Sequence, residues 1–341
     1  VNQLWTMNLD GSDKQCISNE KEDIEGFLFS PDCKHVIIIH QVPTETSIAK
    51  NDEDLPKASG MLINDLMYKH WDSYVRSIPH PFLAEYSNGK VANAKDILEG
   101  QPFECPMMPF GGMEEFAWSP DSKKLAYVLR QKKGRDYAVS TDSDIFLYDI
   151  KDGSSLNLCK PITRDIKQPI KIDYTRSLKD QRIYEGEDCN LGYDDNPKFS
   201  PDGKYIAWTS MKHDGYESDR TRLCVYEFST RNKTYVTESF DSGVDNFFWK
   251  ENSKELLFAG VWHGRTNIYA TNLKGKVRQL TDDVCDYSLA GYIASNGNLL
   301  VKRHSLSEAD DIYFVNTKSG KTERVTNVNK DTYEKTTFGK V

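Results

Sequence analysis

The stretch SPDGK at residues 200–204 recurs along this chain, and that recurrence limits the fold more than any other feature. Pro201 sets the backbone angle wanted at the second position of a tight turn. Asp202 tolerates the third position, and Gly203 takes the positive φ that leads into a strand. Tyr205, Ile206, Ala207 and Trp208 then suit extended backbone. Copies stand in FSPDCKHVIII from Phe29, WSPDSKKLAYV from Trp118 and FSPDGKYIAWT from Phe199. Weaker copies stand in WKENSKELLFA from Trp249 and IASNGNLLVKR from Ile293. A second kind of segment follows, a strand closed by Gly or a polar pair and then a short run ending near Leu-Thr. It reads IFLYDIKDGSSLNLCKPIT from Ile145, LCVYEFSTRNKTYVTES from Leu223, IYATNLKGKVRQLTD from Ile268 and IYFVNTKSGKTERVTN from Ile312. LWTMNLDGSDKQCIS, from Leu4, is the same segment with no turn copy before it. The repeating unit is therefore four short strands, and repeats of about 40–50 residues with four strands each are propeller blades. The expected fold is an all-β propeller over residues 1–341 as a single domain, of seven blades when complete, with eight as the alternative.

The bulk numbers agree with this class. Eighteen Tyr, fifteen Phe and six Trp, without long apolar runs, favour an all-β chain. No stretch approaches the ~18 apolar residues of a membrane helix, so no membrane span is expected. The net charge is −8, and Lys and Arg are scattered singly among acids, which argues against nucleic acid. The seven cysteines (16, 33, 105, 159, 189, 224 and 285) show no CxxC spacing, and several fall in expected strands as small buried hydrophobes. No metal or cofactor is expected, because the seven histidines lack HExxH spacing and the acidic pairs lack a calcium-loop pattern. Val1 opens inside a blade and the end carries no closing signal, so the sequence reads as a fragment of a longer protein.

Three connections break the repeat. Residues 41–79 are an insertion whose apolar positions Leu62, Leu66, Met67, Trp71 and Val75 have a near-3.6 period, which predicts a short helix interrupting one blade. Residues 164–197 form a polar, Tyr-rich connection, and MKHDGYESDRTR, residues 211–222, joins two strands of one blade. Loops of a propeller carry function more often than its strands do.

The SPDGK hairpins resemble the TolB-type propeller repeat. LMYKHWDSYV (Leu66–Val75) and SMKHDGYESDR (Ser210–Arg220) resemble the N-terminal propeller of prolyl oligopeptidase family serine peptidases, in the dipeptidyl-peptidase and acylaminoacyl-peptidase branch. That resemblance implies a C-terminal α/β-hydrolase domain in the same chain, short peptides as substrates and a periplasmic or secreted setting, and it leaves homodimerisation open. These 341 residues contain no G-x-S-x-G nucleophile elbow, so no catalytic residue is assigned here. An exopeptidase of this kind needs a carboxylate where a free amino terminus arrives, and Glu217 is the candidate, with Tyr216 and Asp219 beside it. The plainer expectation is that these acids pair locally with Arg220 and Arg222. His70 and Trp71 are candidates for an apolar wall against a peptide side chain. The plainer expectation for Trp71 is docking of the inserted helix onto its own blade. The competing function is a stand-alone TolB-like propeller acting as a protein-interaction module. A polysaccharide-acting propeller would need clustered His, Gln and Arg ligands, which the sequence does not show.

Overall fold

The computed structural model describes residues 1–44, 46–47, 52–63, 65–66, 68–160 and 190–339. Met67, most of the 164–197 connection and Cys189 lie outside the described residues. Among the described residues five turn copies give five four-stranded antiparallel sheets, and in the first of them two small strand pairs intervene between the second and third strands. The first holds Gly26–Phe29, His35–Pro43, Ser77–Ser87 and Lys90–Asp96, and the second Phe116–Trp118, Lys124–Leu129, Asp144–Asp149 and Ser155–Asn157. The third holds Asp194–Phe199, Tyr205–Ser210, Arg222–Glu227 and Asn232–Tyr235. The fourth holds Val244–Trp249, Glu255–Trp262, Arg265–Asn272 and Val277–Gln279, and the fifth Asp286–Ile293, Asn298–Ser305, Glu308–Asn316 and Thr322–Arg324. The orphan opening segment makes a two-stranded pair, Trp5–Thr6 with Gln15–Cys16.

The chain forms two compact units, Val1–Pro197 with His213–Glu217, and Lys198–Lys212 with Ser218–Val341. Both are organised by the two-residue period of a strand. In the first unit, Ile37 and Ile39 join a core with Phe116, Trp118, Tyr127 and Phe146, while Val36 and Ile38 pack on the other side with Leu4, Ile17 and Ile24. In the second, Leu256 and Phe258 face Trp249 and Tyr269, while Leu257 and Ala259 face Tyr287 and Leu299. Strands buried on both faces read as continuous apolar runs, and each large side chain buried this way contributes about 1.5–3 kcal/mol.

The turns tie neighbouring sheets of a unit together. Ser200 Oγ donates to Asp202 Oδ1 at 2.7 Å and accepts the Tyr205 N–H at 3.0 Å. Ser30 and Asp32, and Ser119 and Asp121, repeat the hydroxyl-to-carboxylate bond. The residue at the Gly203 position is left-handed in the other copies too, with φ of 54° at Cys33, 61° at Ser122 and 56° at Ser253. The Asp32 N–H reaches Ser122 Oγ, and the Asp202 N–H reaches Ser253 Oγ, each at 3.0 Å, so one turn braces the next. The aromatic residue before the turn has a similar duty. Trp118 donates its indole N–H to Leu28 O at 3.1 Å, and Trp249 to Lys198 O at 2.9 Å.

Among its described residues the insertion forms strands rather than a helix. Tyr68–His70 pairs with Ser73–Tyr74 as a small hairpin, and Met61–Leu62 pairs with Thr46–Ser47. An amphipathic helix must bury its apolar stripe. Here Leu62 and Trp71 are exposed, and His70 and Asp65 are held by polar contacts to distant residues that override the local period. The short helix of the first unit lies instead at Gly134–Val139. Among the described residues Cys105, Cys159, Cys224 and Cys285 are buried, Cys16 is half-buried and Cys33 is exposed.

Candidate substrate-contact site

In each of the first three sheets the long connection is the one between the second and third strands. It comprises residues 44–76 in the first sheet, 130–143 in the second and 211–221 in the third. In the first unit, hydrogen bonds join parts of all three.

Glu104 is the anchor. It is 3% exposed, and its two carboxylate oxygens accept from His70 Nε2 at 2.9 and 2.8 Å. Tyr137, on the 134–139 helix, donates its hydroxyl to Glu104 Oε2. Burial alone would raise the Glu104 carboxyl, but the hydrogen bonds from His70 and Tyr137, with the nearby charges of His70 and Lys69, hold it below the ordinary Glu value. Burial and the Glu104 charge push the Tyr137 hydroxyl well up, so it remains a donor. The Tyr137 ring lies under the Arg130 guanidinium at 4.1 Å, and Arg130 Nη1 donates to Ser140 O at 3.1 Å. Asp65 Oδ1 accepts the Gly134 N–H at 2.9 Å, which ties the insertion to the start of the helix.

The far end of the same segment holds the GYESD loop. Ser140 Oγ and the Thr141 N–H both donate to Asp214 Oδ1, at 2.8 and 2.7 Å, and the Gly215 N–H donates to Thr141 Oγ1 at 2.8 Å. Tyr216 follows, 45% exposed, with its ring edge-on to His213 at 6.0 Å. Glu217 is exposed and makes no hydrogen bond or ion pair among the described residues. Asp219 is half-buried and accepts the backbone N–H groups of Lys212 and Arg220, each at 2.8 Å, closing the base of the loop. Arg220 and Arg222 are both engaged by Glu238, at 3.3 and 3.1 Å.

Trp71 sits at the hairpin tip with φ of 54° and is 73% exposed, so it does not dock onto its blade. Its ring makes an edge-to-face contact with Phe110, itself 79% exposed, at 5.4 Å. Trp71 of the insertion and Phe110 outside it thus present an aromatic pair to solvent, while the neighbouring His70 side chain is largely buried. Glu104, Tyr137, Arg130 and Asp214 were not singled out from the sequence.

Among the described residues, one group gathers metal-ligating types, Asp144, Cys159 and Asp194, with ligand atoms within 4.8 Å of one another. The Lys160 ammonium stands against it, 2.9 Å from Asp144 and 2.8 Å from Asp142, and supplies the positive charge. Burial pushes the Cys159 thiol well above its ordinary value. Among the described residues, no helix is long and apolar enough to cross a membrane.

The chain is 42% identical over 308 residues to a protein named dipeptidyl-peptidase 5 from Porphyromonas gingivalis, a match covering 90% of this chain and 41% of that protein. The chain therefore spans about two fifths of the length of this curated relative. Among solved structures, the acylaminoacyl peptidase of Pyrococcus horikoshii superposes with a TM-score of 0.60 at 12% identity, over 98% of this chain and 43% of that one. The β-propeller domain of the trilobed protease from Pyrococcus furiosus gives 0.51 at 11% identity, over 96% and 74%. At such identities the structural likeness establishes the fold, which is a β-propeller. No family model matches the chain.

Proposed function

Since the chain is a β-propeller domain of the prolyl oligopeptidase family of peptidases, related to dipeptidyl-peptidase 5, we propose that it admits and orients short peptides for a serine hydrolase domain later in the same chain. One observation carries this reading: the 42% identity over 308 residues to a protein named dipeptidyl-peptidase 5. In this proposal residues 1–341 belong to one propeller domain, and the Ser, Asp and His of catalysis lie outside them.

The geometry of the first unit supports a role in binding the free amine. Glu217 stands on a loop braced by Asp214 and Gly215, yet among the described residues its own carboxylate makes no hydrogen bond or ion pair. A carboxylate held in place without a partner is the group an incoming ammonium needs, and a charge-assisted hydrogen bond of this kind is worth about 1.5–3 kcal/mol. Tyr216 adds a partly exposed ring beside it. A propeller loop suits this work because its blade is rigid while its own sequence is free of the repeat.

The test is Glu217→Gln in the full-length protein, assayed on dipeptidyl substrates with and without a free amino terminus. The expected result is a KM raised about tenfold or more for the free-amine substrate, following the size of a charged hydrogen bond. N-acetylated substrates should respond equally to both proteins. Unchanged KM for the free-amine substrate would remove Glu217 from the site.

A further inference from the structure

Resting on the amine-binding reading above, we infer that Glu104 and Tyr137 are positioning residues that hold the Trp71 hairpin and the Glu217 loop in one fixed arrangement. Three segments distant in sequence meet here. The hairpin reaches Glu104 through His70, the helix reaches Glu104 through Tyr137, and the residues just after the helix reach the Glu217 loop through Asp214 and Gly215. Segment 134–141 is bonded on both sides and is the physical link between the other two.

The link depends on Tyr137. A helix of six residues is too short to hold its own shape, so side contacts must place it. Tyr137 supplies two, with its ring against the Arg130 guanidinium and its hydroxyl donating to Glu104. Arg130 also holds the Ser140 carbonyl, so the position of Tyr137 sets where Ser140 and Thr141 stand. Those two residues in turn hold Asp214, three positions before Glu217. Glu104 is suited to the task because a buried carboxylate tolerates little freedom. It must keep its donors or bear an unpaired buried charge, and His70 and Tyr137 approach it from different elements. Among the described residues Glu217 makes no hydrogen bond or ion pair of its own, and this bracing holds the loop that carries it. Preorganisation of that kind lowers the cost of binding without touching the reacting atoms.

The experiment uses the full-length protein, with Glu104→Gln and Tyr137→Phe as near-isosteric variants and Glu104→Ala as the stronger one. KM for the free-amine substrate should rise about threefold to tenfold in the near-isosteric variants, the range of coupling between connected residues, with kcat changed less than about twofold. In a Glu217→Gln background the same changes should add nothing to KM. Hydrogen exchange supplies a readout independent of activity: the Thr141 and Gly215 amides should exchange faster in Tyr137→Phe and Glu104→Ala than in the wild type. A KM increase of equal size in both backgrounds would overturn the inference, as would wild-type exchange at those two amides. Should Glu217→Gln alone leave KM unchanged, the amine-binding reading falls, and the exchange rates still decide whether Glu104 and Tyr137 hold the loop.

Discussion

The connections between first and second strands differ from those between second and third strands in what they do with their hydrogen bonds. At 30–34, 119–123 and 200–204 the short turn is bonded to itself through one hydroxyl and one carboxylate, and all three are also bonded to a neighbouring turn. In the first three sheets, the long connections have few internal bonds of that kind and are held by residues far away in the sequence, such as Glu104 for His70 and Thr141 for Gly215. The first arrangement repeats because every blade needs the same corner. The second cannot repeat, because each loop is fixed by different partners. Architecture is carried by the copies, and the candidate binding residues lie in the departures from them.

The strongest way to break that comparison is to remove a turn hydroxyl and a loop carboxylate separately. Ser200 is fully buried, and its Oγ serves both Asp202 and the Tyr205 N–H. Ser200→Ala removes two hydrogen bonds and should cost about 1–3 kcal/mol of stability, at about 0.5–1.5 kcal/mol each. Glu217→Gln should change stability by less than about 0.5 kcal/mol, as exposed substitutions do, while affecting substrate binding. Denaturant unfolding of both variants decides it, and a Glu217→Gln loss as large as that of Ser200→Ala would erase the distinction.

Legibility in the sequence divides along the same line. The turn residues, the strands after them and the aromatic before them were readable because their interactions span two to five residues and recur. The Trp118 and Trp249 indole bonds were not readable, since their acceptors lie 90 and 51 residues away. The GYESD loop was visible as a motif, but the role of Asp214 was not, because Ser140 and Thr141 are 74 and 73 residues from it. Glu104 lies in an irregular stretch 34 residues from His70, and no periodicity reports a pairing at that distance. The helix expected at 62–75 failed for the same reason: five apolar positions suggested a buried stripe, whereas polar ties at Asp65 and His70 set the backbone.

Acid should separate the two regions next, with a smaller effect. The Ser119 hydroxyl, then the Lys123 N–H and the charge of Lys123, hold the Asp121 carboxyl below its ordinary value despite some burial, and Asp32 is lowered in the same way, first by Ser30. A carboxyl depressed by folding gives stability that is present above its unfolded value and is lost as pH falls through the folded one. The turns should therefore weaken below about pH 4, the ordinary Asp range. Asp121→Asn should flatten the fall in melting temperature as pH drops below about 4, the ordinary Asp value. A wild-type slope in the variant would show that the turn carboxylates do not carry the acid response.

The smallest effect sets two turns against each other at the position where the third copy has Gly203. Cys33 and Ser122 are both left-handed, with φ of 54° and 61°, a conformation that costs a side-chain-bearing residue about 1–2 kcal/mol. Glycine removes that strain and gives back about 0.5–1 kcal/mol through its freer unfolded chain. Cys33 is exposed, so Cys33→Gly should stabilise the fold by about 0.5 kcal/mol as the difference. Ser122 has the same backbone strain, but its hydroxyl accepts the Asp32 N–H from the neighbouring turn. Ser122→Gly should therefore gain the same relief and lose a hydrogen bond of about 0.5–1.5 kcal/mol, leaving it neutral or destabilised. Melting temperatures of the two variants measure the bracing between turns directly. If Ser122→Gly stabilises as much as Cys33→Gly, the bond between neighbouring turns contributes nothing, and each corner stands by its own chemistry alone.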